Sequence, residues 1–183
     1  MADAVEHARA RLVRATSVLR GASIPHAVVG GNAVAAWVAT IDATAVRNTQ
    51  DVDILIRRAD FGQARAALEA AGFVYRHAAG IDMFLESPTA SPRSGIHLVF
   101  ANEMVRPDDF APNPQVDEST DLGGFTVLNL DALIRAKLTS FRLKDRVHLL
   151  DLIAIGLIDS AWTTRLSPPL AERLQSLLDN PDA

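Results

Sequence analysis

Apolar and polar positions divide the chain into alternating helical and extended stretches. Over residues 3–20 the apolar positions Val5, Ala8, Leu12, Ala15 and Leu19 recur at helical spacing, and Gly21 supplies a stop. Residues 26–29 form a short apolar strand, Gly30-Gly31 makes a tight turn, and residues 32–39 are small, apolar and helix-compatible. Residues 51–56 alternate Asp-Val-Asp-Ile-Leu-Ile, a strand pattern. Asp60 is placed to cap a helix running to Ala71, with Gln63 at the capping-box position and Gly72 past the end. Residues 73–75, 81–85 and 96–100 are further strands.

Residues 102–124 carry Pro107, Pro112, Pro114, five acidic residues after Arg106, and Gly123-Gly124. They read as a long surface loop, or an excursion covering something. A short extended segment follows at 125–128. Two helices then span 131–141 and 147–158, hinged at Leu143-Lys144-Asp145. Ser167-Pro168 opens a last helix to about Leu178. The order α-β-α-β-α-β-β-β and then helices predicts an α+β (α/β-like) fold. It has a mixed sheet, helices packed on one face, and a helical C-terminal third. One domain over 1–183 is expected, with a core at 22–101, the loop at 102–124 and the helical part at 125–183.

Composition narrows the chemistry. The 183 residues are enough to bury a substantial core. The absence of cysteine excludes disulfides, thiol catalysis and cysteine-ligated metals. A net charge of −4 argues against coating nucleic acid through bulk charge. Of the 18 basic residues only two are lysines, Lys137 and Lys144, seven positions apart. The uncharged run between Arg20 and Asp42 is long enough to span a bilayer. Its centre, however, is Gly30-Gly31-Asn32, which would leave polar groups unsatisfied there. The chain therefore reads as soluble and cytoplasmic, with no membrane partner.

Residues two apart on a strand share a face, so Asp51 and Asp53 project together. Two neighbouring carboxylates repel, and a divalent cation relieves the repulsion. Alone, such a pair also describes an edge strand with two solvated acids. The glycine pair adds to it. Between a strand and a helix, Gly30-Gly31 lets backbone N–H groups approach a phosphate at a helix N-terminus.

The stretch VVGGNAVAAWVA…RNTQDVDILI resembles the nucleotidyltransferase superfamily that includes DNA polymerase beta. It is nearest to small bacterial AbiEii-toxin-like and related groups. Arg47, Thr49, Asp51 and Asp53 match an Arg-x-Thr-x-Asp-x-Asp string, and Lys137, Arg142, Lys144 and Asp145 match a C-terminal basic element. The resemblance implies Mg²⁺ or Mn²⁺ on Asp51 and Asp53 and an NTP with its phosphates near Gly30, Gly31 and Asn32. Arg47, Lys137, Arg142 and Lys144 become contacts of that NTP. An acceptor hydroxyl on RNA, protein or a small molecule would attack the α-phosphate. The resemblance also suggests a toxin-like role, with an antitoxin or a second copy as partner.

The chain departs from that pattern at one position. A third carboxylate is usual on a later strand, and here the position holds His97. Three readings stand side by side. His97 takes over as ligand or proton acceptor; Asp82 or Glu86 reaches in from the preceding strand; or the site is catalytically silent and His97 is a satisfied core residue. His148 and Asp151 share a helix face and read as a polar stripe, Trp37 and Trp162 as packing, and His26 as structural. The alternatives to an enzyme are a silent nucleotide-binding or interaction module and a nucleic-acid binder without chemistry.

Overall fold

Seven strands form one mixed sheet in the order β3-β4-β5-β2-β1-β7-β6. They are β1 His26–Val29, β2 Val52–Ile56, β3 Val74–Ala78, β4 Ile81–Leu85, β5 Ile96–Phe100, β6 Ser119–Leu122 and β7 Phe125–Leu128. These elements come from a computed structural model that describes residues 2–47 and 49–180. At the centre, β2 runs antiparallel to β1 and parallel to β5, and β1 runs parallel to β7. The β3-β4 and β7-β6 hairpins extend the two sides.

Among the described residues six α-helices complete the fold: α1 Ala2–Gly21, α2 Gly30–Ala39, α3 Phe61–Ala70, α4 Leu130–Ser140, α5 Leu143–Ala154 and α6 Pro168–Asp179. α1 packs on α3 and on the central strands, while α2, α4, α5 and α6 pack among themselves and against β1, β2 and β7. The two helix groups thus form separate layers around the sheet, where the sequence suggested helices on one face. The core follows from the periodicity: Ala8, Leu12, Ala15 and Leu19 of α1 are buried, and Val5 lies outside the residues whose side chains are described. Val52, Ile54, Leu55 and Ile56 of β2 are fully buried, as is Ile96 of β5. Trp37 anchors α2 to the sheet by donating Nε1–H to the Leu128 carbonyl at 3.0 Å. No described helix is long and apolar enough to cross a membrane.

Four local expectations change. Gly30 and Gly31 are the first residues of α2, so no loop separates strand from helix. The capping box at Asp60 does not form: Asp60 accepts from Arg57 at 2.6 Å, and Gln63 donates to the Ala22 carbonyl. The expected 102–124 loop ends in strand β6, which pairs with β7 across Gly123-Gly124. The helical corner falls at Phe141-Arg142, because Phe141 takes a left-handed conformation (φ 45°) and α5 starts at Leu143. Lys144 and Asp145 therefore stand in the first turn of a helix, not in a hinge.

Candidate active site

The sheet brings three chain segments into one row. Val29 at the end of β1 is in register with Asp53 of β2, and Asp53 is in register with His97 of β5. Alternation places Asp53 and His97 on the face opposite Val52, Ile54, Ile96 and Leu98. Gly30 follows Val29 with φ +65°, a left-handed backbone that glycine accepts freely. A Cβ at Gly30 would also collide with the Asp53 carboxylate. A Cβ on Gly31 would press on Thr49 at 3.1 Å. Gly30 is thus required by Asp53, and Gly31 packs closely on Thr49, both members of the Arg-x-Thr-x-Asp-x-Asp string.

Among the described residues no side chain caps the N-terminus of α2. Its first-turn N–H groups, with the positive end of the helix dipole, are therefore left for an anion. Asn32 was expected to face phosphate. Its amide instead donates to the Asp51 carbonyl at 2.6 Å and fixes the start of β2.

His97 is held at both ends. Its Nε2 lies 2.9 Å from the Pro92 carbonyl, and its Nδ1 lies 3.4 Å from Asp53 Oδ1. A carbonyl only accepts, so Nε2 carries a proton. In the neutral ring, Nδ1 then presents a lone pair to a carboxylate. Either a second proton or a shared cation resolves that opposition. The bond to Asp53 raises the His97 pKa above its ordinary value; burial opposes the rise, and Pro92 and the two aspartates support it.

Asp82 and Glu86 are committed elsewhere. Asp82 Oδ1 accepts from Tyr75 Oη at 2.6 Å and lies 2.8 Å from His77 Nδ1, and Glu86 accepts from Arg11 at 3.0 Å. Neither supplies a third carboxylate beside Asp53; the residue in register there is His97.

The four expected basic contacts separate. Lys144 donates to Asp51 Oδ2 at 2.7 Å. Arg47 donates to Asp151 at 2.8 Å. Arg142 donates to Asp145 at 2.9 Å, yet most of its side chain is exposed and its charge interacts with Asp53. Lys137 is buried, and its Nζ donates to Asp145 Oδ1 at 2.9 Å. It is a structural ammonium and not a residue of the open site. Burial alone would raise the Asp145 pKa. The Lys137 charge and the bonds from Arg142, Ser140 and Lys137 overcome this and hold it far below the usual carboxylate range.

A cleft of about 310 Å³ opens beside Asp51 between α2 and α5. Val34, Val38 and Val147 form apolar wall, while Arg47, Lys144 and Asp151 supply charge. His148, read as part of a polar stripe, lines this cleft and is buried. Burial, with the charges of Lys137 and Lys144, lowers its pKa to about 4. The cleft was missed because its residues come from α2, the 47–51 segment and α5, which no local pattern joins. The i, i+3 spacing of His148 and Asp151 was the one available signal.

Two carboxylates and an imidazole nitrogen directed at Asp53 are a donor set that suits a hard divalent cation such as Mg²⁺ or Mn²⁺. Among the described residues no three His, Asp or Glu side chains converge closely enough to hold an ion as they stand, and the Lys144 ammonium rests on Asp51.

No protein-family model matches the chain, and no curated protein does. Solved structures do. JHP933 from Helicobacter pylori aligns with TM-score 0.58 at 14% identity, over 100% of this chain and 77% of its own. The antibiotic-resistance factor ANT(2'')-Ia aligns with TM-score 0.55 at 12% identity, over 93% and 91%. An antigenic nucleotidyltransferase-like protein from Paracoccidioides brasiliensis aligns with TM-score 0.55 at 17% identity, over 97% and 89%. At these identities the likeness is one of fold.

Proposed function

We propose that this chain, whose fold is that of the nucleotidyltransferases, transfers a nucleotide from an NTP to an acceptor hydroxyl. The observation that carries the reading is the row Gly30, Asp53, His97, with Asp51 and Lys144 beside it. Asp51 and Asp53 would hold Mg²⁺ or Mn²⁺, which when bound stabilises charge on the α-phosphate oxygens and the leaving group. The uncapped N-terminus of α2 takes the phosphates. Lys144 exchanges Asp51 for the phosphate chain, and Arg142 adds charge from the same corner. The acceptor oxygen forms a bond to the α-phosphorus, the bond from that phosphorus to the bridging oxygen breaks, and pyrophosphate leaves. The acceptor's proton passes to Nδ1 of neutral His97, with Nε2 anchored on Pro92.

Incubation with α-labelled NTPs and separate RNA, protein and small-molecule pools tests this. Label should move to one pool and fall by about 10³-fold in Asp53→Asn, the loss of several kcal/mol of charge stabilisation. The small-molecule pool includes antibiotics, because a structural neighbour is an antibiotic-resistance factor. If no pool is labelled and Asp51→Asn binds NTP like the wild type, the enzyme reading fails.

A specific observation favours a second reading. Lys144 already sits on Asp51 as a resident cation, and His97, beside Asp53, becomes a second one when its Nδ1 is protonated. A catalytically silent nucleotide-binding module would use them in place of metal. It predicts NTP binding that persists in chelator, whereas the enzyme reading predicts NTP-dependent Mn²⁺ binding by calorimetry that Asp53→Asn removes. The AbiEii-like toxin role and an antitoxin partner rest on motif resemblance alone, and they would be tested by growth arrest on expression.

A further inference from the structure

The two aspartates are held in different ways. Asp53 lies inside β2, where pairing with Val29 and His97 fixes it. Asp51 lies one residue before the strand, so its direction must be set from elsewhere. Its Cα joins two peptide planes, and their orientations set its φ and ψ and with them the direction of its side chain.

Both planes are held. The following plane carries the Asp51 carbonyl and the Val52 N–H. That carbonyl accepts from the Asn32 amide at 2.6 Å, and that N–H donates to the Gly95 carbonyl at 3.4 Å. The preceding plane carries the Gln50 carbonyl, which accepts from Arg11 Nη1 at 3.4 Å. Asn32 belongs to α2 and Arg11 to α1, so the aspartate is gripped from both helix layers.

Arg11 is a costly residue for its place. It shares a helix face with Ala8 and Ala15, both buried, and is itself only 6% exposed. Its Nε donates to Glu86 at 3.0 Å, a carboxylate that water reaches. Taking a guanidinium out of water costs free energy, and an apolar side chain of similar length would pack there without that cost. Glu86 compensates the charge, but an apolar residue would need no compensation. What the guanidinium adds is a donor for the peptide next to Asp51.

We infer that Arg11 is a positioning residue for Asp51: from α1 it holds the peptide plane before the aspartate, as Asn32 holds the plane after it, and the two together aim the Asp51 carboxylate at Lys144. The consequence for metal binding rests on the nucleotide-transfer reading above; the aim of the side chain does not.

The chain has only two lysines, so ¹⁵N-lysine labelling gives two side-chain Nζ resonances in NMR. Lys144 reports the aim of Asp51 without metal or nucleotide, and Lys137, paired with Asp145, reports the fold. Arg11→Met removes the donor and keeps the length. It should move the Lys144 resonance toward its position in Asp51→Asn, leave that of Lys137 in place, and keep Tm within a few degrees of the wild type. In an Asp51→Asn background the same change should move neither. With NTP present, Arg11→Met should weaken Mn²⁺ binding by about 10–100-fold, the usual loss when a partner behind a metal ligand is removed. The inference is overturned if the Lys144 resonance stays in place in Arg11→Met, or moves as far when residue 51 is already asparagine. Mn²⁺ binding that is present in the wild type and unchanged in Arg11→Met overturns it as well. A wild type that binds no Mn²⁺ with NTP sinks the metal reading instead, and the Lys144 resonance still decides the role of Arg11. If Arg11→Met fails to fold, seen as loss of the Lys137 resonance, the shorter donor in Arg11→Gln is judged by the same criteria.

Discussion

Lys137 on α4 and Lys144 on α5 stand on either side of the corner between those helices in opposite circumstances. Lys137 is 7% exposed and bonds to Asp145, itself 1% exposed. Lys144 is about half exposed and bonds to Asp51, at the edge of the cleft. The residue type is the same, and both were expected to touch the NTP. Burial separates them. An ammonium enclosed with its carboxylate has no path to a ligand, whereas a half-exposed one held to a partly exposed carboxylate can exchange partners. The two are still coupled. Asp145 collects Lys137, Ser140 and Arg142, and so fixes the corner from which Lys144 projects.

The comparison is broken most directly at the buried pair. Lys137→Ala leaves the Asp145 charge enclosed with part of its compensation gone, which should cost about 3–5 kcal/mol. For a chain of this size that is a fall in Tm of roughly 10 °C, measured by thermal unfolding. If Lys137→Ala keeps the wild-type Tm but loses NTP affinity, the two lysines are functionally alike and the distinction collapses.

His148 sharpens the same comparison, because the charges of both lysines act on it. Its pKa falls from 6.5 unfolded to about 4 folded. The folded state thus holds the ring neutral while the unfolded chain takes up a proton below 6.5. This contribution is complete above the unfolded pKa, declines as pH falls, and is gone below about 4. Its upper size is about 3 kcal/mol. Urea midpoints at about pH 8 and about pH 5 should differ accordingly in the wild type. They should differ less in His148→Gln; an equal drop in that variant would assign the acid lability to other groups. Asp145 contributes in the same direction but only at lower pH, since its folded pKa lies below the carboxylate range.

These contrasts mark where sequence reading succeeds. The strands at 26–29 and 81–85 were legible as short, largely apolar runs that are almost wholly buried, and 96–100 because its alternation matches its burial. β6 was missed: Ser-Thr-Asp-Leu has no apolar alternation, so only Gly123-Gly124 hinted at a hairpin. The start of α5 was displaced because Phe141, not a glycine, takes the left-handed turn. The placement of Gly30, Asp53 and His97 side by side was legible because strand geometry relates them directly. Asn32 and Lys137 were assigned to ligand because a residue's type says what it can bond, not which partner takes it. Their partners, the Asp51 carbonyl and Asp145, are fixed only by the fold.

On the open side of the comparison, His97→Ala should lower nucleotide transfer by on the order of 10²-fold, the contribution of a positioned base. The pH profile of the residual rate should lose its acid-side limb, the fall in rate as pH drops and the base is protonated. His97→Asp places a carboxylate where the superfamily usually has one, and should recover rate where His97→Ala does not. An unchanged rate in His97→Ala would assign the ring to packing between Pro92 and Asp53.

Lys144→Ala is the smallest change and divides the two lysines most cleanly. An exposed ion pair contributes about 0–1 kcal/mol, so Tm should move by no more than a few degrees. NTP affinity should fall by about tenfold, the size of one charge-assisted bond to phosphate. The loss should shrink at high salt, since the contact is exposed to screening. The free Asp51 carboxylate adds a second readout. Removing its resident cation should tighten Mn²⁺ binding in the absence of nucleotide, measured by calorimetry. If Lys144→Ala weakens both Mn²⁺ and NTP binding, Lys144 orders Asp51 for the metal and does not compete with it. The site would then need its lysine in place before the cation arrives.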